Sequence, residues 1–358
     1  MNILIVGAGA IGSLIGHRLA RAGHQVVLVG RSSYVAAVNE RGIGLEEGGK
    51  VIWTKEVQAV DNIQALEGAH FDLMIFTMKA YDTAVAAVQA RPLVTEETPV
   101  LVLQNGVGGE EIARSVLGKG VILSGVVTLA VEVHEPGLVS LRTSRGGLGL
   151  ASTWYGYGMA WLADAMEQAG FRTRIFPDYR AMKWSKLLLN MLSNAIPAIL
   201  DMPPQNVFAN PGLFALERSA LAEAMAVMRA LHLEPVELVG YPVPLFARAL
   251  TGAPRFMMYL VFRQMVGGSR GGKPPSLHLD LQRGQTNSEV EYLNGAVVRA
   301  ADRLNIPVPV NRALYELLTG IARKQIPWED YRQRPDKLWL AVRSGTKSGG
   351  KVALMQTS

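Results

Sequence analysis

The sequence predicts an α/β N-terminal domain followed by an all-α C-terminal domain, and three observations carry that prediction. Short apolar runs at Asn2–Val6, Gln25–Val29, Phe71–Phe76 and Pro99–Leu103 are separated by stretches of helical period. Strands that alternate with helices pair in parallel and carry helices on both faces. Beyond Asp178 the pattern is helical almost throughout. The length, 358 residues, fits about two domains at roughly 150 residues each.

The first strand, Asn2–Val6, runs into Gly7-Ala8-Gly9-Ala10-Ile11-Gly12, and a helix follows to Ala22, closed by Gly23. This is G-x-G-x-x-G in the context that gives it meaning: after a strand, opening a helix, inside a βαβ unit. Gly7 permits the tight turn, Gly9 lets the backbone approach a pyrophosphate, and Gly12 lets helix and strand pack closely. The helix N-terminus offers free amides and positive potential to phosphates. The N-terminal domain is therefore expected to be a Rossmann-type dinucleotide-binding domain.

The second strand ends in Val29-Gly30-Arg31-Ser32-Ser33, with no acid where an NAD binder places one for the ribose. Arg31 would instead meet a 2′-phosphate by charge-assisted contact, so NADPH/NADP+ is the expected cofactor. A merely solvated Arg31 is the alternative.

Helices are expected at Asp82–Ala90 and near Glu110–Leu117. Val121–Arg142 reads as β structure turning at Glu135-Pro136-Gly137, expected to extend the sheet with antiparallel strands. In the second half, helices are expected at Arg180–Ile196, Phe214–Leu231, Pro254–Val266, Glu289–Leu304 and Asn311–Ile321, with a basic loop at Gly267–Pro275 that could act as a lid. The expected domains are residues 1–178, residues 179–324, and a basic extension, 325–358, flexible or loosely docked.

Composition excludes several function classes. The absence of cysteine removes disulfides, Cys-ligated zinc, iron–sulfur clusters and thiol catalysis, and six histidines make a multi-His metal site a poor expectation. The net charge of +6 could suggest a nucleic-acid partner, but its location argues otherwise. Residues 323–358 carry eight Lys/Arg and three Asp/Glu, which leaves the preceding 322 residues almost neutral. A nucleic-acid-binding role is thus not expected. Neither is a signal peptide or a membrane span, since Met1-Asn2 lacks a basic flank and no run reaches 18 apolar residues. The expected location is cytoplasmic.

Three further segments carry candidate chemistry. Thr77-Met78-Lys79-Ala80-Tyr81 and Gln104-Asn105-Gly106-Val107-Gly108 follow strands, at the carboxyl ends where open α/β sheets bind ligands. In the third, Trp184–Asn194, the residues Lys186, Asn190 and Asn194 are spaced i, i+4, i+8 and are expected to share one helix face. Polar groups repeated along an otherwise apolar helix are costly unless they meet a ligand or each other.

Together these segments resemble the ketopantoate reductase family. The resemblance runs from Met1 to about Arg323 and includes the glycine-rich start, Lys79-Ala80, Asn105-Gly106-Val107-Gly108, the Lys186/Asn190/Asn194 segment, Ser276 with Asp280, and Glu289–Gly295. It implies a helical domain joined to the dinucleotide domain and NADPH-dependent reduction of a 2-oxo acid, 2-dehydropantoate, to the 2-hydroxy acid of pantothenate synthesis.

By the same resemblance, Lys186 is the catalytic acid, donating to the keto oxygen as hydride reaches the carbon. Asn105 touches both the nicotinamide ribose and the substrate. Asn190, Asn194 and Ser276 hold the substrate, while Lys79, Ala130 and Glu289 lie at the cofactor. Ser276, following two prolines, also fits a plain helix N-cap, Glu289 a first-turn acid, and Lys79 a lining residue.

Some features depart from the family pattern. The spacing from Asp280 to Glu289 is one residue longer, Pro204 stands ten residues beyond Asn194 where some members have Asn, and residues 240–272 form an insertion. These bear on which 2-oxo acid is reduced. The competing readings are a related NADPH-dependent reductase of another 2-oxo acid, and a non-catalytic NADP(H) sensor. A homodimer is an assembly the apolar helices would suit, although no residue pattern specifies one.

Overall fold

A computed structural model of the protein describes residues 1–143, 145–252 and 274–348. The expected helix at Pro254–Val266 and most of the loop at Gly267–Pro275 lie outside these residues, as does the end of the basic extension.

The N-terminal elements, in chain order, are β1 (Asn2–Val6), α1 (Ala10–Arg21), β2 (Gln25–Val29), α2 (Ser32–Arg41), β3 (Ile43–Glu47), β4 (Lys50–Thr54), β5 (Val57–Val60), β6 (Leu73–Phe76), α3 (Thr83–Ala90), β7 (Pro99–Val102) and α4 (Gly109–Leu117). They continue with β8 (Val121–Val127), β9 (Val131–Glu135), β10 (Leu138–Leu141), β11 (Leu148–Ser152), α5 (Ala160–Gln168) and β12 (Thr173–Ile175).

The main sheet has the order β12-β11-β8-β7-β6-β1-β2-β5. From β5 to β8 every neighbour is parallel, and β11 reverses direction against β8. Strand β1 lies between β6 and β2, and its composition follows from that place. Ile3 and Ile5 join one apolar cluster with Leu14 and Leu19 of α1, Val38 of α2 and Leu162 of α5. Leu4 and Val6 join another with Phe76 and with Ala87 of α3 and Leu117 of α4. A strand covered on both faces reads as an unbroken apolar run rather than an alternation. The parallel α/β domain expected from the sequence is present.

The expected hairpin at Glu135-Pro136-Gly137 forms, but it does not extend the main sheet. Strand β10 pairs antiparallel with β9 and parallel with β3, giving a separate sheet of order β4-β3-β10-β9. Burial of Ile43, Leu45 and Val139 in the first apolar cluster holds this sheet in place. The main sheet instead reverses at β11, which pairs antiparallel with β8 and parallel with β12.

Beyond β12 come α6 (Tyr179–Met191), α7 (Ala195–Leu200), α8 (Pro204–Ala209), α9 (Pro211–Ala230) and α10 (Val243–Gly252). After the undescribed segment follow α11 (Ser276–Gln282), α12 (Asn294–Leu304), α13 (Pro309–Ala322) and α14 (Pro335–Ser348). The chain divides into two compact units. One comprises Met1–Lys183 with Glu237–Pro242, the other Trp184–Val236 with the described residues from Val243 onward. The return of Glu237–Pro242 to the first unit is anchored by Thr128, whose Oγ1 donates to the Val239 carbonyl at 2.7 Å.

In the second unit a buried asparagine ties three helices together. Asn311, at the start of α13, accepts from Asn294 of α12 at 2.9 Å and donates to the Ala220 carbonyl of α9 at 2.8 Å. Residues 325–348, expected to be loosely docked, instead form a built part of this unit. Leu338 and Val342 of α14 are buried. Ahead of them, Trp328 Nε1 donates to the Ala198 and Ile199 carbonyls, and Arg332 grips Asp201. The polar composition of this segment hid an amphipathic helix. No helix among the described residues is long and apolar enough to cross a membrane.

Candidate active site

The glycine turn between β1 and α1 is shaped by what surrounds each glycine. Gly7 has φ +110°, and a Cβ there would lie 2.3 Å from the Met78 amide nitrogen. A Cβ on Gly12 would lie 2.2 Å from the Gly7 carbonyl oxygen. These two positions are closed to side chains by packing within the protein. Gly9 is different, because a Cβ there meets nothing within 4 Å. Gly9 is also the N-cap of α1, which has no side-chain cap and no acid in its first turn. The first amides of a helix have no intrahelical partner. At the start of α1, alongside Ala8, Ala10 and Ile11, this leaves donors, positive potential and open space together, which fits the phosphates of a dinucleotide.

Arg31 is exposed and is the N-cap residue of α2, directly after β2. Next to it, Ser32 Oγ donates to Asp61 Oδ2 at 3.0 Å, which puts a carboxylate near the end of the neighbouring strand β5. Lys79 is half-buried just beyond β6, before the short 3₁₀ turn Ala80–Asp82. Burial raises the Asp82 carboxyl above its usual range, and the charges of Arg31 and Lys79 pull it back down, so both cations lie within its electrostatic reach. Asn105 is exposed beyond the end of β7, and the backbone after it passes through Gly106 and Gly108, both left-handed. Ala130 is exposed between β8 and β9, and its carbonyl accepts from the Arg142 amide at 2.8 Å.

Behind Asn105 lies a buried network that the sequence reading missed. Lys183 Nζ donates to the Gln104 carbonyl at 2.7 Å and lies 3.0 Å from Glu110 Oε1. The side chains of Lys183 and Glu110 are 3% and 2% exposed. Ser124 Oγ donates to the same Glu110 oxygen at 2.5 Å, and the Gln104 amide donates to Thr83 Oγ1 at 2.8 Å. A lysine beside Trp184 and an acid in a first helical turn look like surface residues in a one-dimensional pattern. Only their pairing across 73 residues shows otherwise.

In the second unit, Lys186 and Asn190 lie one turn apart on α6, both half-buried. Asn194 does not share their helix face, which corrects the i, i+4, i+8 expectation. Helix α6 stops at Met191, and Ser193 adopts φ +53° with its amide donating to Glu217 Oε2 at 3.1 Å. Asn194 becomes the N-cap residue of α7. Its Nδ2 donates to the Asn190 carbonyl at 2.9 Å, and its Oδ1 accepts from the Leu277 amide at 3.2 Å. The break therefore brings Asn190, Asn194 and the start of α11 together by hydrogen bonds rather than by helix periodicity. Ser276 is exposed at the first position of α11, and Pro275 occupies the N-cap, so the capping reading of Ser276 does not hold. Asp280 and Glu289 are both buried, Glu289 in the 3₁₀ turn Glu289–Tyr292.

Comparison with known proteins bears on these two units in turn. Residues 3–153 match the family model described as "Ketopantoate reductase PanE/ApbA", and residues 178–322 match its C-terminal counterpart. The 2-dehydropantoate 2-reductase of Pyrococcus horikoshii is 30% identical over 320 residues, covering 89% of this chain and 96% of the relative. That of Mesorhizobium japonicum is 29% identical over 346 residues, covering 90% and 98%. Among solved structures, a PanE/ApbA family ketopantoate reductase from Ralstonia eutropha JMP134 superimposes with a TM-score of 0.76 at 34% identity, covering 91% of this chain and 99% of that one. D-Mandelate dehydrogenase in complex with NADH and anilino(oxo)acetate has a TM-score of 0.77 at 23% identity, covering 90% and 99%, a likeness of fold. The family resemblance drawn from the residues is confirmed: the chain belongs to the ketopantoate reductase family and is an oxidoreductase.

Proposed function

We propose that the protein reduces 2-dehydropantoate to pantoate with NADPH, a step of pantothenate and coenzyme A synthesis. The observation that carries this reading is Lys186 and Asn190 on successive turns of α6, with Asn194 hydrogen-bonded to Asn190, in a chain whose other unit presents an open, uncapped glycine turn. The cofactor supplies a hydride to the keto carbon. Lys186 holds a proton at the keto oxygen, where negative charge develops, so its donation counts mainly in the transition state. Asn190 and Ser276 orient the substrate, with Asn194 fixing the Asn190 backbone and the start of α11. Glycines 7, 9 and 12 with Ala8, Ala10 and Ile11 bind the pyrophosphate. Arg31 pairs with the 2′-phosphate, Lys79, Ala130 and Glu289 line the cofactor, and Asn105 bridges the ribose and the substrate.

A second reading has one observation in its favour: Asp61, beside Ser32, is an acid that could accept a ribose hydroxyl and favour NADH. Steady-state kinetics with both nucleotides across a panel of 2-oxo acids tests the whole proposal. The expected result is preferred oxidation of NADPH with 2-dehydropantoate, and a loss of roughly 100-fold or more in kcat/KM for Lys186→Ala, the scale of a lost acid group. Near-wild-type turnover by that variant would remove Lys186 from its role. Better turnover of another 2-oxo acid would reassign the substrate, and nucleotide binding without oxidation of any would leave a sensor.

A further inference from the structure

We propose that Lys183 is a positioning residue for the reaction, one that fixes the Gln104–Asn105 peptide from beneath. The inference rests on the reading of Asn105 as the residue that meets ribose and substrate. Strand β7 ends at Val102, and the Leu103 amide bonded to the Phe76 carbonyl marks the end of its hold on the main sheet. Beyond Asn105, Gly106 and Gly108 have φ of +87° and +111°, a region that glycine enters freely and other residues rarely. Asn105 is thus exposed between the end of a sheet and two of the least restrained residues in a chain.

Gln104, directly before Asn105, is held twice. Its side chain donates to Thr83 Oγ1 and lies 2.9 Å from Met78 Sδ, and its carbonyl accepts from Lys183 at 2.7 Å. The lysine is itself held by Glu110, whose Oε1 also accepts from Ser124. Glu110 lies in the first turn of α4, where the helix dipole favours a negative charge. A buried ion pair of this kind is a poor source of stability, because desolvation offsets its attraction and an apolar pair of similar volume would serve as well or better. What charge supplies here is direction: an ammonium aimed at one carbonyl.

The test is the double variant Lys183→Met/Glu110→Leu, which removes both charges and leaves neither buried alone. Cooperative melting near the wild-type temperature is expected. NADPH affinity should stay within about threefold, since the phosphate contacts lie elsewhere. The expected change is a kcat lower by roughly 10- to 100-fold, the scale of a small misplacement of a reacting group. Amide hydrogen exchange in the peptide 103–109 is expected to rise by about tenfold or more, as a local opening.

If that pair fails to fold, Lys183→Gln/Glu110→Gln keeps polar groups on both sides. It should show the same losses, since its amide stops one atom short of Nζ. Wild-type kcat together with unchanged exchange over 103–109 in a folded variant overturns the proposal. Should the wild-type protein reduce no 2-oxo acid, the functional reading fails, and the exchange measurement alone decides whether Lys183 holds this peptide.

Discussion

The Asn194 side chain caps the first turn of a helix at an amide 83 residues further along the chain: its Oδ1 accepts from Leu277 at 3.2 Å while its Nδ2 donates to the Asn190 carbonyl. A residue that only touched substrate would be dispensable for folding. Asn194→Ala is therefore expected to lower stability by about 1–2 kcal/mol, the range for a lost cap, as well as to lower activity. Urea unfolding of the apoprotein checks this, and unchanged stability would leave Asn194 with a ligand role alone.

The glycines of the turn should separate binding from folding. Gly9 faces open space, so Gly9→Ala should leave stability within about 0.5 kcal/mol of the parent while weakening NADPH binding by roughly tenfold or more. Gly12→Ala would press a methyl onto the Gly7 carbonyl and Thr77, with an expected cost of about 1–3 kcal/mol or more. Thermal melts paired with nucleotide titration distinguish the two.

Arg31 sets the nucleotide preference in our reading. Arg31→Gln is expected to lower kcat/KM for NADPH by about 10- to 100-fold and to leave that for NADH nearly unchanged, as for the loss of one charge-assisted contact. An equal loss with both nucleotides would make Arg31 a general structural residue and turn attention to Asp61.

How much of this was legible in the sequence depended on whether the deciding interaction was local. Asn2–Val6 and the glycines after it announce themselves, since a two-faced strand and a tight turn each leave a contiguous signature. Strands β3 and β4 leave none: β4 is largely exposed, so no alternation marks it. The end of α6 carries neither proline nor glycine. Ser193 is held in a left-handed conformation by Glu217, 24 residues away, and the polar spacing of Lys186, Asn190 and Asn194 mimics a continuous helix face. Lys183 and Glu110 are opposite charges whose burial only the fold reveals.

His17 of α1 gives the first unit an acid-sensitive point. It is buried, its Nε2 donates to the Ile52 carbonyl of β4 at 3.0 Å, and burial pushes its pKa down from 6.5 to about 4. The folded protein therefore holds a neutral ring while the unfolded chain takes up a proton below 6.5. This contribution to stability is complete above pH 6.5 and is lost as pH falls from 6.5 through about 4. Melting temperatures across that window should fall more steeply for the parent than for His17→Asn. Parallel curves would sink the assignment.

Residues 325–348 belong to the fold of the second unit. Leu338→Ala should cost about 2–5 kcal/mol as a core truncation. Deleting everything from Gln325 also removes the Trp328 and Arg332 contacts to α7 and is expected to destabilise more. Equal denaturation midpoints for full-length and shortened chains would contradict this.

The six residues from Glu237 to Pro242 constrain how the molecule can be taken apart. They follow more than fifty residues of helical chain, yet Leu238 and Val239 are buried and the Val239 carbonyl completes the bonding of Thr128. A gene fragment encoding only residues 1–183 would thus lack this plug and the Val239 carbonyl that accepts from Thr128. Grafting the helical half of a relative onto this nucleotide-binding half would likewise import a foreign plug. Recombination at a single crossover is ill suited to this chain, and a working chimera needs Glu237–Pro242 matched to the first half.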